Sequence, residues 1–353
     1  LENEGGIPKN IKQGETRWNL SRITQWTSGF WPGILWYIYD FTEDEKWLDA
    51  ARKSTALLES NRKLPYKTHD LSFMMYNSYG HGYKLTNDPK YREILLETVD
   101  SLVTLYDPKS GTMLSWPWMV EKKGWLHNTI IDNMMNLELL FWASKNGRPE
   151  YYQIAVDHAM NTTKHFIRDN HSTWQVVVFD TVYGKPVQKL TFQGLSDNST
   201  WARGQSWAIY GYVMTYKETQ EKQFLETASK LADYYLENLP ADLIPYWDFD
   251  VTEENQKIKD TSAAAIAAAA LMDLCVLVDN PELKKHYFKV AKKMLKTLSS
   301  SEYKSLDKND AFLLHSVGSK PTNGEVNVSL IYTDYYYLEA LIRYHKLISN
   351  DIF

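Results

Sequence analysis

The chain has 353 residues but only one cysteine, Cys275, so it cannot form an internal disulfide. No run of about eighteen apolar residues is present, which excludes an ordinary membrane-spanning helix. The net charge of −5 comes with no basic stripe and argues against nucleic acid as a partner. There is no HExxH motif and no Cys/His cluster, and the "DFD" at 248–250 is too slight for a calcium loop. We therefore expect neither a metal nor another cofactor.

The remaining composition is that of an ordinary soluble protein large enough for a sizeable core. Charged residues make up 24% and hydrophobic residues 44% of the chain. The first residues, "LENEGGIPKN", lack the features of a signal peptide, and the chain does not begin with Met. We expect that a leader has been removed from it or lies outside this sequence.

Aromatic residues are abundant, with 13 Trp and 24 Tyr. Both side chains combine a flat apolar face with a polar edge, and such faces match the C–H faces of sugar rings. Packing in a large helical core accounts for most of them. Clustering of the others in loops would favour a sugar-binding site.

Hydrophobic periodicity predicts helices along nearly the whole chain. Six segments are apolar nearly all round, near 27–42, 69–86, 129–147, 199–219, 260–278 and 330–348. Amphipathic, charged helices lie between them, near 45–60, 89–107, 149–168, 221–239 and 280–300. Short turns such as "TNDPK" and "KNGRPE" join each buried helix to the surface helix that follows. This alternation is a structural repeat without an obvious sequence repeat.

The repeat predicts an all-α fold, a six-hairpin α/α toroidal barrel formed by residues 1–353 as a single domain. A helix that is apolar all round must be covered on all sides, and a closed ring of six would do this. An open solenoid is the alternative, but its end helices would need polar outer faces, which the first and last inner helices lack. Eleven helices are recognisable, so the twelfth, an outer one, should lie in the N-terminal residues or be irregular.

In such a ring the N-termini of all inner helices share one rim, and polar and aromatic residues mark that position. They are Trp26, His69, Asp70, Asp132, Trp201, Arg203, Asp260, Thr261, Ser262 and Asp334. The loops above this rim would carry Trp116, Trp118, a β-hairpin at 173–194 and "PYWDFD" at 245–250. Helix capping is an equally good explanation for Asp260 and Ser262.

Asp70 and Asp132 differ from simple caps because each lies beside a long apolar face. A buried carboxylate is costly unless it is paired, hydrogen-bonded or used. Neighbouring inner helices pack roughly 8–10 Å apart, so the two carboxylates could face each other across a substrate. Paired carboxylates are typical of acid/base chemistry on glycosides. The helix N-terminus favours the anion at Asp132, whereas apolar surroundings favour the acid, and the sequence leaves both open.

Arg203, in "STWARGQSWAIYGY", offers a donor fork suited to a carboxylate. The alternative is an arginine that ties helix ends together.

The chain resembles the unsaturated glucuronyl hydrolases. The resemblance rests on "WTSGFWPG", "HDLSFM", "IIDNMMNLELLFWAS", "TFQGLSDNSTWARGQSWAIYG", "PYWDFD", "DTSAAAIAAAALMDL" and "VSLIYTDYYYLEAL", in the family's order and over most of the chain. It implies the same six-hairpin α/α barrel. It also implies a substrate, namely oligosaccharides with a 4,5-unsaturated uronic acid at the non-reducing end, which polysaccharide lyases generate.

The resemblance also implies roles for individual residues. Asp132 matches the family's proton donor and base, and Asp70 its second essential aspartate. Gln193, Arg203 and Trp207 match residues that line the pocket, and Trp26 with one of Trp116 and Trp118 matches its aromatic walls. Gln175 stands where a substrate-contacting His is found in the family; it can form hydrogen bonds but cannot titrate near neutrality. This departure concerns substrate preference more than the reaction.

The implied reaction is hydration of an enol ether. Asp132 protonates C4, water deprotonated by the same group adds at C5 with help from Gln193, and the hemiketal opens to break the glycosidic bond. Asp70 stays ionised and stabilises the developing positive charge. Because the substrate is made outside a cell, a bacterial periplasm or exterior is the expected location, with the cytoplasm as the alternative.

Three other functions remain open from the sequence. The related unsaturated rhamnogalacturonyl hydrolases favour "RGNGW" where this chain has "RGQSW". An inverting glycosidase on the same barrel would release a saturated sugar, and a non-catalytic sugar-binding protein would need no acid pair.

The loop "HSVGSKPTNGEVNVS" at 315–329 is rich in small residues and contains a single cation, Lys320. Exposed backbone N–H groups beside a cation favour an anion site. We expect Ser319 and Lys320 to contact the second sugar and to tune tolerance of its sulfation. A solvated loop whose Lys touches nothing is the alternative.

Overall fold

The computed structural model describes residues 6–64 and 68–353. Within these residues the chain forms twelve α-helices: α1 (Phe30–Thr42), α2 (Glu45–Ala56), α3 (His81–Thr86), α4 (Pro89–Leu102), α5 (Pro117–Lys123), α6 (Leu137–Lys145), α7 (Tyr151–Phe166), α8 (Ala202–Thr219), α9 (Lys222–Glu237), α10 (Thr261–Leu277), α11 (Pro281–Leu298) and α12 (Ile331–Ser349). A π-helix (Ser72–Gly80) runs directly into α3. Shorter 3₁₀ helices lie at Glu59–Lys63, Val103–Leu105, Ile131–Asn136 and Glu254–Gln256.

Nine short strands lie in the same residues: β1 (Ile7–Ile11), β2 (Asn19–Ser21), β3 (Tyr106–Asp107), β4 (Thr112–Met113), β5 (His127–Ile130), β6 (Val176–Phe179), β7 (Pro186–Leu190), β8 (Ser316–Ser319) and β9 (Gly324–Leu330). β5, β6 and β7 form a three-stranded sheet in that order, with β5 antiparallel to β6. The hairpin predicted at 173–194 is therefore confirmed, and it carries one additional strand.

The eleven helices predicted from periodicity are present, but two of the inner ones begin differently. The helix predicted at 129–147 starts as strand β5, continues as the 3₁₀ helix Ile131–Asn136, and becomes α-helical only at Leu137. Its first residues include β-branched Thr129 and Ile130, which pair with Val177 and Val176 of β6. The helix predicted at 69–86 winds as the π-helix over Ser72–Gly80 and becomes regular α-helix only at His81.

The chain separates into two compact units, and the first contains residues 6–9, Leu20–Phe166 and Val176–Lys189. Three helical hairpins follow one another in it. α1 packs on α2, the π-helix with α3 packs on α4, and the 3₁₀ helix with α6 packs on α7. The apolar first members also contact each other in sequence order, because only mutual packing covers their apolar faces.

The second unit contains Asn10–Asn19, Ile167–Gln175 and Leu190–Phe353. α8 pairs with α9 and α10 pairs with α11, while α10 also packs against both α8 and α12. The alanine run of α10 is buried along its length, since side chains this small let the flanking helices approach closely. β8 and β9 pair as an antiparallel hairpin next to α12.

Two expectations need correction here. The described N-terminal residues 6–29 form strands β1 and β2 and no helix, so the twelfth, outer helix does not lie there. The segment 315–329 is mostly the β8–β9 hairpin rather than a flexible loop, because its alternating Val317, Val326 and Val328 pack and pair as strands.

The organisation of residues 1–353 as one domain stays a prediction. None of the helices in the described residues is long and apolar enough to cross a membrane.

Candidate active site

Asp70 lies in the first unit, two residues before the π-helix. The hydroxyl of Thr68 donates a hydrogen bond to Oδ2 of Asp70, and Nε2 of His69 lies 3.3 Å from Oδ1. The Asp70 side chain is 14% exposed, whereas that of His69 is fully buried. The carboxylate is thus held by its chain neighbours and keeps a narrow access to solvent.

Asp132 lies in the 3₁₀ helix that begins inner helix α6. The residue is partly buried, and its atom Oδ2 is shielded from solvent. Ile131 and Asn133 on either side of it are buried. Asp132 is thus a partly buried carboxylate in an otherwise buried turn.

A hydrogen-bond network joins the segment of Asp70 to the segment of Asp132. Nδ1 of His69 lies 2.6 Å from Oδ1 of Asn133, which also accepts from Nδ2 of Asn136 at 2.8 Å. Oδ1 of Asn136 in turn accepts from the backbone N–H of Ser72 at 3.2 Å. Because the three side chains and Ser72 are all buried, the network fixes the two carboxylate-bearing segments relative to each other.

The predicted aromatic walls of the first unit adjoin this network. The backbone N–H of His69 donates to the carbonyl of Ser115, the residue before Trp116. Trp116 is nearly buried, whereas Trp118 is 43% exposed, and their ring centroids are 6.0 Å apart. Trp26 packs edge-on against Phe73 of the π-helix with centroids 5.5 Å apart. All three predicted tryptophans therefore lie near Asp70 in the chain contacts of the first unit. Trp26 packs on the π-helix that follows Asp70, and Trp116 and Trp118 follow the residue that is hydrogen-bonded to His69.

Sequence reasoning missed the asparagines that hold this region together. Besides Asn133 and Asn136, buried Asn128 accepts from the Trp116 N–H at 3.0 Å and donates to the Trp116 carbonyl at 3.1 Å. Three asparagines within a largely apolar stretch were the available signal, since a buried amide requires partners.

A buried histidine supports the same region from outer helix α7. Nδ1 of His158 accepts from the Met113 N–H at 3.2 Å, and the Met113 carbonyl accepts from Nδ2 of Asn133 at 2.9 Å. Burial lowers the pKa of His158 from 6.5 to about 3, so the ring is neutral in the folded protein near neutrality.

This histidine should make the folded state sensitive to acid. Unfolding exposes His158 and restores its ordinary pKa, so its contribution to stability is fully present above about pH 6.5 and is lost as the pH falls toward about 3. We expect the free energy of unfolding to fall by up to about 1.4 kcal/mol per pH unit in that window. In His158→Asn, which cannot titrate, the slope measured by urea unfolding at several pH values should be smaller. An unchanged slope would assign the acid sensitivity to other groups, among them His127, whose pKa burial also lowers.

In the second unit, Gln175 and Gln193 contact each other directly. Nε2 of Gln175 donates to Oε1 of Gln193 at 2.7 Å, and Nε2 of Gln193 donates to the Gly318 carbonyl at 3.1 Å. Gln175 is only 4% exposed, whereas Gln193 is partly exposed. The exposure of Gln193 agrees with its predicted place at a pocket wall. The burial of Gln175 argues against direct contact with substrate.

Arg203 is committed to protein acceptors. The residue is 1% exposed, and its Nη1 lies 3.2 Å from Oδ2 of Asp260. This ion pair joins α8 to the N-terminus of α10. Its guanidinium also donates to the carbonyls of Val317 and of Gly318, the latter at 2.6 Å. Asp260 caps α10 by accepting from the Ser262 N–H at 3.0 Å, as the capping interpretation expected. This is the arrangement in which an arginine ties helix ends together.

Trp207 also differs from its predicted place on a pocket wall. Its side chain is fully buried, and its ring packs edge-on against Tyr336 of α12 with centroids 5.2 Å apart. Trp207 lies one turn after Arg203 in α8 and is buried in the helical core. Burial of its large apolar ring stabilises the fold.

Ser319 ends strand β8, and Lys320 is in the turn that follows. Both are partly exposed. Oγ of Ser319 accepts from the Thr322 hydroxyl at 2.8 Å, so the turn is ordered by its own side chains. In the part of the chain that the structure describes, no three His, Cys, Asp or Glu side chains are grouped as metal ligands.

Comparison with known proteins gives one consistent result. Residues 4–346 match the model of Glycosyl Hydrolase Family 88. The chain is 42% identical over 329 residues to an unsaturated glucuronyl hydrolase of Formosa agariphila, covering 92% of this chain and 80% of that protein. It is 35% identical to an unsaturated chondroitin disaccharide hydrolase of Streptococcus pyogenes, with 92% and 82% covered.

A solved structure confirms the fold class. A crystal structure described as an unsaturated glucuronyl hydrolase specific for heparin is 40% identical, with a TM-score of 0.92 over 98% of this chain and 92% of that one. The predicted all-α, α/α-barrel class is thereby confirmed, as is the resemblance read from the motifs. The chain is a glycoside hydrolase and belongs to Glycosyl Hydrolase Family 88.

Proposed function

We propose that this protein removes the 4,5-unsaturated uronic acid from the non-reducing end of oligosaccharides made by polysaccharide lyases, with Asp132 and Asp70 as its catalytic pair. The observation that carries the assignment of residues is the buried network of His69, Asn133 and Asn136, which joins the two carboxylate-bearing segments. Such preorganisation is what a site for charged transition states requires.

Asp132 is the proposed acid and base. Its carboxyl donates a proton to C4 of the C4=C5 bond, and oxocarbenium-like charge develops at C5 and the ring oxygen. The resulting carboxylate then takes a proton from water, and the hydroxyl adds at C5. The hemiketal then opens: its C5 hydroxyl loses a proton, the bond from C5 to the ring oxygen breaks, and the ring oxygen gains a proton, which leaves a ketone at C5 and a hemiacetal at C1. The C1 hydroxyl in turn loses its proton as the glycosidic C–O bond breaks, the leaving oxygen gains a proton, and C1 becomes an aldehyde. One group can serve both steps because it is regenerated by the second.

Asp70 is the proposed electrostatic partner. The Thr68 hydroxyl donates a hydrogen bond to its carboxylate and holds the group in place. An anion beside the ring stabilises positive charge as it develops at C5. The partly exposed Trp26 and Trp118 are proposed to stack on sugar faces.

In the second unit, Gln193 is the proposed orienting group for the attacking water. Ser319 and Lys320 remain the proposed contacts to the neighbouring sugar and its sulfate. For Arg203 and Trp207, whose side chains are buried, the contacts described above support a role behind the pocket surface rather than direct contact with the uronate.

Glycosaminoglycan fragments are the proposed natural substrates. One relative is named for chondroitin disaccharides and another for heparin. Because lyases release such fragments outside cells, we place the protein in a bacterial periplasm or exterior.

The proposed function is tested with disaccharides produced by lyases from chondroitin, hyaluronan, heparin and pectin, with matched sulfated and unsulfated forms of the chondroitin and heparin fragments. Loss of the ultraviolet absorbance of the C4=C5 bond is expected for at least one glycosaminoglycan fragment. Activity on the pectin-derived fragment alone would favour a rhamnogalacturonyl-type specificity. Release of a sugar that keeps its absorbance, or binding without turnover, would contradict the proposal.

A further inference from the structure

We infer that Gln175 is a positioning residue that fixes the orientation of the Gln193 side-chain amide and does not itself contact substrate. This inference rests on the proposed role of Gln193 in orienting the attacking water. It is carried by the hydrogen bonds of the segment 191–193.

The amide oxygen of Gln175 accepts three hydrogen bonds from this segment. The Thr191 hydroxyl and the Phe192 N–H are both 2.7 Å away, and the Gln193 N–H is 2.8 Å away. A backbone N–H can only donate, so the atom that faces it must be the oxygen. The side-chain orientation of Gln175 is thereby set, and its NH₂ group must point toward Gln193.

The NH₂ group of Gln175 then sets the orientation of Gln193. It donates to Oε1 of Gln193, while Nε2 of Gln193 donates to the carbonyl of Gly318. A flipped Gln193 amide would place nitrogen against nitrogen at Gln175 and oxygen against oxygen at Gly318. Both contacts would be repulsive, so one N–H of Gln193 keeps a fixed direction.

The Gly318 carbonyl is itself held in place. It accepts from Nη2 of Arg203 at 2.6 Å, and Arg203 is paired with Asp260. The side-chain amide of Gln193 is thus held on one side by buried Gln175. On the other side it is held by the Gly318 carbonyl, which is bonded to the buried Arg203–Asp260 ion pair. Only Gln193 of the two glutamines reaches solvent, so only it is available to a bound water or sugar.

The decisive variant is Gln175→Glu. An ionised glutamate keeps the oxygen that accepts the three hydrogen bonds but cannot donate to Gln193, whereas a protonated glutamate regains a donor. We expect kcat at neutral pH to fall about tenfold to a hundredfold with little change in KM, the size of effect that misorientation of a reacting group produces. The ratio of variant to wild-type kcat should rise as the pH falls through the pKa of the introduced carboxyl.

Two further variants complete the test. Gln175→Leu removes acceptor and donor together, so its loss of activity should not recover at low pH. Gln223→Glu, the same change at an exposed position of α9, should match wild type throughout. A flat ratio for Gln175→Glu across pH, or an effect confined to KM, would overturn the positioning role.

Hydrogen exchange separates this inference from the proposed function. In Gln175→Leu the amides of Phe192 and Gln193 should exchange faster, because both lose their acceptor. Wild-type protection of both amides would overturn the inference even if the enzyme were fully active. If the wild-type protein degraded no unsaturated uronide, the proposed function would fail instead, and faster exchange would still support the structural link between the glutamines.

Discussion

Asp132→Asn is expected to abolish turnover of unsaturated disaccharides while the protein stays folded. The substitution keeps the size of the side chain but removes the proton needed at C4 and the base needed for water. General acid–base catalysis contributes about 10²- to 10⁴-fold for one proton transfer, so loss of both should bring kcat close to the detection limit. The rate is followed by the absorbance of the C4=C5 bond, and the fold by circular dichroism and thermal unfolding.

The matched control is Asp49→Asn, the same chemical change on the exposed face of α2 in the first unit. It should leave kcat and thermal stability unchanged. A folded Asp132→Asn protein with wild-type kcat would exclude Asp132 as the acid, and attention would turn to Asp70.

Arg203→Met is expected to destabilise the protein by about 3–5 kcal/mol, because it leaves the buried Asp260 carboxylate without its cation. Met keeps much of the apolar length of the arginine, so the cost reports on charge and hydrogen bonds rather than on a cavity. The carbonyls of Val317 and Gly318 lose their donor as well. Denaturant unfolding gives the free energy directly, provided that the slope with denaturant is unchanged.

Lys217→Met provides the comparison for Arg203→Met, since Lys217 pairs with Asp273 at 2.8 Å but is 47% exposed. An exposed pair contributes about 1 kcal/mol or less. Arg203→Met could instead lower the free energy of unfolding as little as Lys217→Met does, while raising KM for the uronate and not for a neutral analogue. That result would show that Arg203 binds the substrate carboxylate directly.

The helices could be predicted because burial imposes a regular period on the sequence. The 3.6-residue pattern of amphipathic segments such as 222–237 and 281–298 is visible without any knowledge of tertiary contacts. The strand β5 could not be predicted in this way, since it depends on pairing with β6, some fifty residues away in the chain. The π-helix is equally invisible, because the apolar pattern of 72–80 fits either winding.

Without the family resemblance, the candidate site was predictable only in its two aspartates. Asp70 and Asp132 stand out because a carboxylate within an apolar segment needs a reason. The roles of Asn133, Asn136 and Gln175 could not be assigned from the sequence, because the cost of burying an amide depends on partners that only the fold brings close. For the same reason, the sequence could not decide whether Arg203 binds substrate or joins helix ends.

The alanine run of α10 has a consequence for how this enzyme can diverge. Ala263–Ala265 and Ala267–Ala270 are buried in a helix that packs on α8 and α12, so larger side chains at these positions would overpack the interface. Mutations that survive selection should therefore be scarce in α10 and should accumulate instead in exposed connections, such as the turn at 320–323. New substrate preferences in this lineage are expected to arise by remodelling such connections, while the helix beneath them changes little.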